Sequence, residues 1–169
     1  MNKNTKSRSA IGIDFHPLTT NRKLVLGGVE IPYKKGLLGH SDGDALTHAI
    51  IDSILGVAGL GDIGTYFPDS DTNLHRKYSI DLLSEVMNMI NNKGWNLTFI
   101  DATIIAESPK MADYLSNIIK SLSVPLEIET SEISIKATST NGLGFIGQEN
   151  GIGAIAIATA EKTCHDQII

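Results

Sequence analysis

A chain of 169 residues, with 41% hydrophobic and 20% charged residues, is long enough to bury its own core and has the composition of an ordinary globular domain. A net charge of −5 argues against a general nucleic-acid surface. The single cysteine, Cys164, excludes an internal disulfide or a thiolate cluster, so any metal must be held by histidines and carboxylates. Neither a membrane span nor a signal peptide is predicted, and we expect a cytoplasmic protein without nucleic-acid or membrane partners.

The chain is expected to begin with a loose tail. Residues 1–9 are polar and basic without periodicity, so we place a single domain over residues 10–169. Residues 11–16 then alternate in the manner of a strand, which puts Asp14 and His16 on one face. Two side chains of the kind that bind metals therefore point the same way.

An aspartate-rich loop leads into the first predicted helix. Residues 44–58 place apolar side chains at the spacing of a buried helix face, and Gly43 can supply the turn before them. Either Asp42 or Asp44 can cap this helix by accepting backbone N–H groups. His48 lies on the other stripe of the helix, which suits either a hydrogen-bonded histidine at the core edge or a ligand.

Periodicity defines the remaining elements. Ser108 and Pro109 predict the start of a third helix, with serine as its N-cap and Met111 and Leu115 on its buried face. The other predicted elements are a hairpin over residues 24–31, a helix over residues 78–92, and strands over residues 97–106, 133–138 and 152–160. Together they predict an α/β (α+β) fold: a mixed sheet of about four main strands, with three helices on one face and a small hairpin.

The glycine-rich segment before the last strand contains a formal dinucleotide pattern at Gly142, Gly144 and Gly147. That fingerprint requires a helix to open at the third glycine, whereas residues 152–157 have the pattern of a strand. We therefore expect no dinucleotide site. A Walker loop is absent as well, and nothing places a serine at a strand-to-helix elbow, which disfavours a serine hydrolase.

Asp14, His16 and His48 form the most informative set of polar residues. Two imidazoles and one carboxylate, drawn from a strand face and a neighbouring helix, are the ligand set of a zinc site that keeps its fourth position open. A capped helix with one hydrogen-bonded histidine is the plainer alternative. The density of acidic side chains around His48 favours the metal site.

The other histidines carry weaker signals. His75 and His165 lie in polar or terminal segments, where exposed histidines are common. His40 differs because it stands beside Ser41 on a loop directly before the proposed metal helix. This position suits a mobile lid that contacts phosphate.

Several short motifs occur in a fixed order along the chain. They are GIDFH at 12–16, HSDGD at 40–44 followed by His48, GDIG at 61–64, FPD at 67–69, PKM at 109–111, KAT at 136–138 and LGF at 143–145. In order and spacing the set resembles the 2-C-methyl-D-erythritol 2,4-cyclodiphosphate synthase family. The resemblance covers nearly the whole chain from Gly12 onward.

This resemblance implies a lyase of the non-mevalonate isoprenoid pathway. The family cyclises 4-diphosphocytidyl-2-C-methyl-D-erythritol 2-phosphate to 2-C-methyl-D-erythritol 2,4-cyclodiphosphate and releases CMP. It implies a homotrimer with active sites between neighbouring subunits. It also implies one Zn²⁺ per chain on Asp14, His16 and His48, and Mg²⁺ or Mn²⁺ bound with the substrate diphosphate.

The resemblance also assigns the remaining contacts. His40 and Ser139 would act in catalysis. Ribose contacts would lie at Asp62 and Gly64, an erythritol pocket over residues 67–71 and a cytosine pocket over residues 106–112. The substrate-binding residues would be Asp14, His16, His40, Ser41, Asp62, Ile63, Gly64, Phe67, Asp69, Asp71, Ala106, Pro109, Lys110, Met111, Ala112, Thr138, Ser139, Asn141 and Phe145.

Four positions depart from the pattern of the family. Asn141 and Gly142 stand where a glutamate that helps to hold the second metal and a lysine are usual. Gln148 and Asn150 replace the arginine and glutamate that line a cavity on the trimer axis. Because an amide oxygen is a weaker ligand than a carboxylate, we expect weaker binding of the second metal.

Two other functions stay open at this stage. One is a trimer that binds a cytidine nucleotide without catalysis, because the second metal binds too weakly for turnover. The other is a metal-dependent phosphodiesterase, which would use water in place of the internal phosphate. The reaction products distinguish these functions from a cyclising enzyme.

Overall fold

Two long antiparallel strands form the centre of the molecule, β1 (Asn4–Thr19) and β7 (Gly151–Cys164). The structure, a computed structural model, describes residues 4–39, 41–68 and 77–164. Since β1 begins at Asn4, the loose tail predicted for residues 1–9 is wrong from that residue onward. Residues 4–9 pair with the distant end of β7, and this pairing, rather than any local pattern, orders them.

The predicted mixed sheet is confirmed, with five strands in the order β4-β1-β7-β5-β6. Within this sheet, β5 and β6 run parallel, and the other neighbouring strands run antiparallel. A separate two-stranded sheet is the predicted hairpin, with its turn at Gly27 and Gly28. The bounds of the remaining strands are β2 (Leu24–Leu26), β3 (Val29–Ile31), β4 (Gly36–Leu37), β5 (Asn96–Ile105) and β6 (Ile133–Thr138).

In the part of the chain that the structure describes, three long helices pack with the sheet, and two single-turn helices follow loops. Their bounds are α1 (Ala45–Ala58), α2 (Ile63–Tyr66), α3 (Ser79–Asn92), α4 (Leu115–Leu126) and α5 (Gly144–Gly147). A short 3₁₀ turn (Thr130–Glu132) precedes β6. Within the described residues, no helix combines the length and the apolar character needed to cross a membrane.

Helix α1 lies directly on β1 and is almost wholly buried. Asp44 is its N-cap, since the Oδ1 atom accepts the backbone N–H of Thr47 at 2.9 Å. The helix ends at Gly59, which adopts the left-handed conformation usual after a helix. Gly12 allows the close approach: a Cβ at this position would lie 2.0 Å from the carbonyl oxygen of Ala49.

The predicted start of the third helix, at Ser108 and Pro109, is wrong. Helix α4 begins at Leu115 after a cap at Tyr114, and residues 106–114 form bends and turns. A serine followed by proline is typical of turns as well as of helix starts. Met111 is buried as predicted, but it reaches the core from this irregular segment, which made the apolar spacing look helical.

The opposite face of the sheet is apolar and exposed. Ile11, Ile13 and Phe15 are 59%, 49% and 45% exposed, although they alternate with residues that face α1. Ile157 on β7 lies opposite Ile11 and is exposed as well. Exposed apolar patches of this kind mark sites of association.

The contact between Gly12 and α1 leads to a stability prediction. Gly12→Ala places a methyl group against the backbone of Ala49 and Ser53, which cannot move without lifting α1 off the sheet. We expect a loss of roughly 1–3 kcal/mol in the free energy of unfolding, measured by urea denaturation. Gly64→Ala is the control, because the nearest atom to its added methyl group is 3.6 Å away and stability should change little. Equal stability of the two variants would contradict the close approach.

Candidate functional site

Asp14, His16 and His48 meet at one point between β1 and α1. The Nε2 atom of His16 lies 2.8 Å from Asp14 Oδ2, and the Nδ1 atom of His48 lies 3.2 Å from the same oxygen. The two imidazole nitrogens are themselves 3.2 Å apart. The predicted triad is thus brought together as a cluster whose ligand atoms could hold one metal ion.

The spacing of the three atoms fits a tetrahedral ion. Four ligands about 2.0–2.1 Å from a zinc ion lie roughly 3.3 Å from one another, close to the three distances observed. The Nδ1 atom of His16 is 2.7 Å from the carbonyl oxygen of Leu38. Since a carbonyl only accepts, Nδ1 carries the hydrogen and Nε2 is the ligand atom. The triad is half-buried, which leaves one side open to a further ligand.

Electrostatics also favour a cation at this point. Burial acts to raise the pKa of Asp14, but the hydrogen bonds and charges of His16 and His48 outweigh it and hold that pKa well below its usual range. For His16, burial acts to lower the pKa, whereas the hydrogen bond and charge of Asp14 raise it above the usual value. Without a metal the site therefore attracts a proton, and a divalent ion would displace it.

The loop before α1 is held by an arginine that the sequence did not reveal. The guanidinium of Arg22 donates to the carbonyl oxygens of Gly39 and Ser41, at 3.1 and 2.6 Å. The hydroxyl of Ser41 donates to the carbonyl oxygen of Lys77, next to α3. A lone arginine after a strand gives no signal in sequence, because its partners lie 17 and 19 residues away.

Several predicted site residues lie outside the described part of the chain. They are His40, Asp69 and Asp71, together with the histidines expected to be exposed, His75 and His165. The roles assigned to them therefore stay predictions.

The segment predicted to contact ribose forms the start of α2. Asp62 caps this turn by accepting the backbone N–H of Thr65 at 2.9 Å. Asp52, one turn after His48 on α1, accepts the backbone N–H of Ile63 at 2.7 Å. Burial raises the pKa of this Asp52 carboxyl. Asp62 and Gly64 are exposed, while Phe67 is half-buried, so the polar groups of this segment face solvent.

A pocket of about 330 Å³ lies beyond the ends of β5 and β6. It joins two segments that were predicted separately, the nucleotide segment and the end of β6. The irregular backbone of residues 106–112 forms one wall of the pocket. The lining residues are Ala106, Glu107, Pro109, Lys110, Met111, Ala112, Ala137, Thr138 and Ser139.

Glu107 is a pocket residue that sequence reasoning missed. Its Oε2 atom accepts the backbone N–H groups of Thr140 and Gly142, each at 3.3 Å. Asn141 stands between them with φ at 53°, in the left-handed region. Asn141 and Phe145 are exposed and do not line the pocket, and the Phe145 ring packs edge-on against Phe15 at 6.0 Å between centroids.

The metal cluster and the pocket lie at the same end of the sheet. Phe15 pairs with Gly153, Gly153 with Ile105, and Ile105 with Thr138, so these residues form one row across the strands. Three strand spacings separate the ends of this row, or about 14 Å. The two parts of the site are therefore held at fixed positions by one rigid element.

Fold and site together define an α+β domain that carries a candidate Asp-His-His metal centre and a separate pocket of nucleotide size. The profile of the YgbB family matches residues 7–161, and the chain belongs to this family.

Named relatives agree with that assignment over almost their whole length. The 2-C-methyl-D-erythritol 2,4-cyclodiphosphate synthase of Clostridium acetobutylicum is 56% identical over 150 residues, which cover 89% of this chain and 97% of that protein. The enzyme of the same name from Alkaliphilus oremlandii is 50% identical over 155 residues, covering 92% and 99%. The resemblance seen in the motifs is confirmed.

Solved structures share the fold. The bifunctional IspDF of Campylobacter jejuni superposes with a TM-score of 0.91 at 36% identity, covering 94% of this chain and 43% of that longer protein. IspF of Plasmodium falciparum, solved as a CDP complex, gives a TM-score of 0.82 at 35% identity, covering 94% and 97%. The shared architecture is the one described above.

Proposed function

We propose that this chain converts 4-diphosphocytidyl-2-C-methyl-D-erythritol 2-phosphate to 2-C-methyl-D-erythritol 2,4-cyclodiphosphate and releases CMP, a step in isoprenoid precursor synthesis. The observation that carries the proposal is the convergence of Asp14, His16 and His48 in a chain that is 50–56% identical to enzymes of that name over nearly their full length. The CDP complex of a structural relative supports a cytidine nucleotide as the ligand of the pocket.

The donor set of the triad supports zinc as the resident ion. Two nitrogens and one oxygen at tetrahedral spacing, with one position left open, are typical of zinc sites that act on substrates. When bound, the ion would act as a Lewis acid and a template for a phosphate oxygen. Asp14, His16 and His48 would supply the ligands, and Leu38 fixes the ring of His16 through its carbonyl oxygen.

The other residues would act by positioning and by hydrogen bonding. Attack of the 2-phosphate on the β-phosphorus joins two parts of one substrate, so no protein nucleophile is needed. Residues 106–112 would hold the cytosine, and Thr138 and Ser139 at the rim of the same pocket would donate hydrogen bonds to the diphosphate. His40 and Ser41 would contact phosphate, as the resemblance to the family implies.

Reaction products test this function against the two alternatives. Purified protein is incubated with the substrate, zinc and magnesium, and the products are separated by chromatography. CMP with the cyclic diphosphate supports the proposal. CMP with a linear phosphate would indicate a phosphodiesterase, and unchanged substrate would indicate a nucleotide-binding protein without catalysis.

The exposed apolar face of the sheet supports assembly into a homotrimer. Ile11, Ile13 and Phe15 on β1, with Ile157 on β7, form a continuous patch that a monomer would leave in water. Because three strand spacings, about 14 Å, separate the strand of the metal ligands from the strand that ends at the pocket, a neighbouring chain on this face could bring its own pocket closer to the metal.

A substitution that prevents trimer assembly should therefore also abolish turnover. Ile13→Asp places a charge at the centre of the apolar patch, so we expect smaller particles by light scattering and loss of turnover. Val124→Asp is the matched control, because Val124 is 78% exposed on α4, away from this face, and should leave assembly and turnover unchanged. An Ile13→Asp protein that is monomeric and fully active would contradict an active site shared between subunits.

Zinc content and turnover should depend together on His48. His48→Ala removes one of three ligands, so we expect the zinc bound by the wild type, one ion per chain, to be lost along with CMP release. The buried stripe of α1 faces the other way, so the circular dichroism spectrum should persist. Elemental analysis of metal-replete protein measures the zinc content. Absence of zinc in the wild type, or global unfolding of the variant, would count against the assignment.

Asn141 should weaken the binding of the second metal ion. An interaction with a charged group contributes roughly 1.5–3 kcal/mol, so a missing carboxylate corresponds to a tenfold to hundredfold higher magnesium requirement. Asn141→Glu should lower that requirement and leave zinc content unchanged, as shown by turnover against magnesium concentration.

The backbone at this position calls for a second variant. Asn141 has a left-handed conformation, which asparagine and aspartate tolerate better than glutamate. Asn141→Asp therefore adds the charge without the backbone cost. Magnesium curves that superimpose for the wild type and both variants would mean that phosphates and water hold the second metal.

A further inference from the structure

The imidazole of His48 makes contacts through both of its nitrogens. Its Nδ1 atom faces Asp14 and His16, as described above. Its Nε2 atom lies 2.9 Å from the hydroxyl oxygen of Ser79, the first residue of α3. Ser79 is completely buried, so this hydroxyl does not exchange its partners with bulk water.

The hydroxyl of Ser79 has a second partner, which determines its direction. It donates its hydrogen to Asp42 Oδ1, while the backbone N–H of Ser79 donates to Asp42 Oδ2 at 3.2 Å. A carboxylate only accepts, so the hydrogen of Ser79 points to Asp42 and a lone pair is left facing His48. The Nε2 atom of His48 must then be the donor in that contact.

Donation from Nε2 fixes the tautomer of the ring. With its hydrogen on Nε2, a neutral His48 carries its lone pair on Nδ1, the atom that faces Asp14 and His16. Asp42 is itself held in place, because Oδ1 also accepts the backbone N–H of Asp44 at 3.3 Å, at the start of α1. Metal-bound histidines generally donate their second nitrogen to such an outer partner, which orients the ring and raises its basicity.

We propose that Ser79 and Asp42 are positioning residues of the metal centre, which hold His48 as the tautomer that presents Nδ1 to zinc. The inference rests on the proposal that the triad binds zinc, but it does not depend on which reaction follows. It assigns a role to two side chains that lie 31 and 6 residues from His48 in sequence. Neither is a ligand of the ion.

A purely structural role for Ser79 is the competing explanation, since the Asp42 contacts also join the starts of α1 and α3. The two roles predict different measurements. A positioning residue changes the zinc affinity of folded protein, whereas a structural residue changes the stability of metal-free protein and leaves the affinity of the folded fraction unaltered.

The test compares Ser79→Ala with a matched variant on the same helix. Ser84→Ala removes a hydroxyl that lies on the exposed side of α3 and donates only to the carbonyl oxygen of Ile80 among the described residues. Zinc dissociation constants are measured by competition with a chelator, and the unfolding of the metal-free proteins is measured in urea. We expect Ser79→Ala to bind zinc about 10–100-fold more weakly than the wild type, and Ser84→Ala to match the wild type.

Two further variants refine the result. Ser79→Thr keeps the hydroxyl and should recover part of the affinity. If Ser79→Ala does not fold, Ser79→Cys keeps the volume with a weaker hydrogen bond, and the same comparison applies to it. Unchanged zinc affinity in the folded Ser79 variant overturns this inference alone. A wild type that binds no zinc overturns the zinc assignment as well.

Discussion

The close contact between α1 and β1 decides where the metal ligands meet. Asp14 and His16 come from the strand and His48 from the helix, and only a short separation of the two elements brings their ligand atoms within 3.2 Å. Gly12 permits that separation because it has no side chain under Ala49. On β7, the buried face beyond Ile152 is made of alanines, whose small side chains let the helix pack closely on both central strands. Those buried alanines are Ala154, Ala156, Ala158 and Ala160.

Acidic side chains then connect the surrounding elements to this contact. Burial, and secondarily the charge of Asp42, raise the pKa of Asp44. Its oxygens nevertheless accept from the backbone N–H groups of Thr47 at the helix start and Gly28 in the hairpin turn, at 2.9 and 2.8 Å. Asp42 in turn reaches Ser79 at the start of α3. Three elements that are distant in sequence are thus fixed around the triad by hydrogen bonds to two carboxylates.

Much of this arrangement was accessible from sequence, and the exceptions share a physical cause. The hairpin, α1, β6 and the triad follow from local periodicity and ligand chemistry, although the sequence left open whether Asp42 or Asp44 caps α1. The structure assigns the cap to Asp44. The start of β1, the anchoring by Arg22 and the contact of Asp42 with Ser79 depend on partners far along the chain, and no local pattern encodes them. The start of the third helix was predicted too early because Met111 is buried from an irregular segment, and its spacing to Leu115 matches that of a helix.

The pairing of β1 with β7 has a consequence for how the protein is made. Residues such as Ser9 and Thr159, 150 positions apart, are neighbours in the sheet. Contacts of such large sequence separation carry a high loop-closure cost and slow folding. All three metal ligands precede β7 in the chain, so the strand that supports β1 is synthesised well after them. During synthesis the ligands are therefore present long before the rigid frame that holds them at the spacing of a single ion.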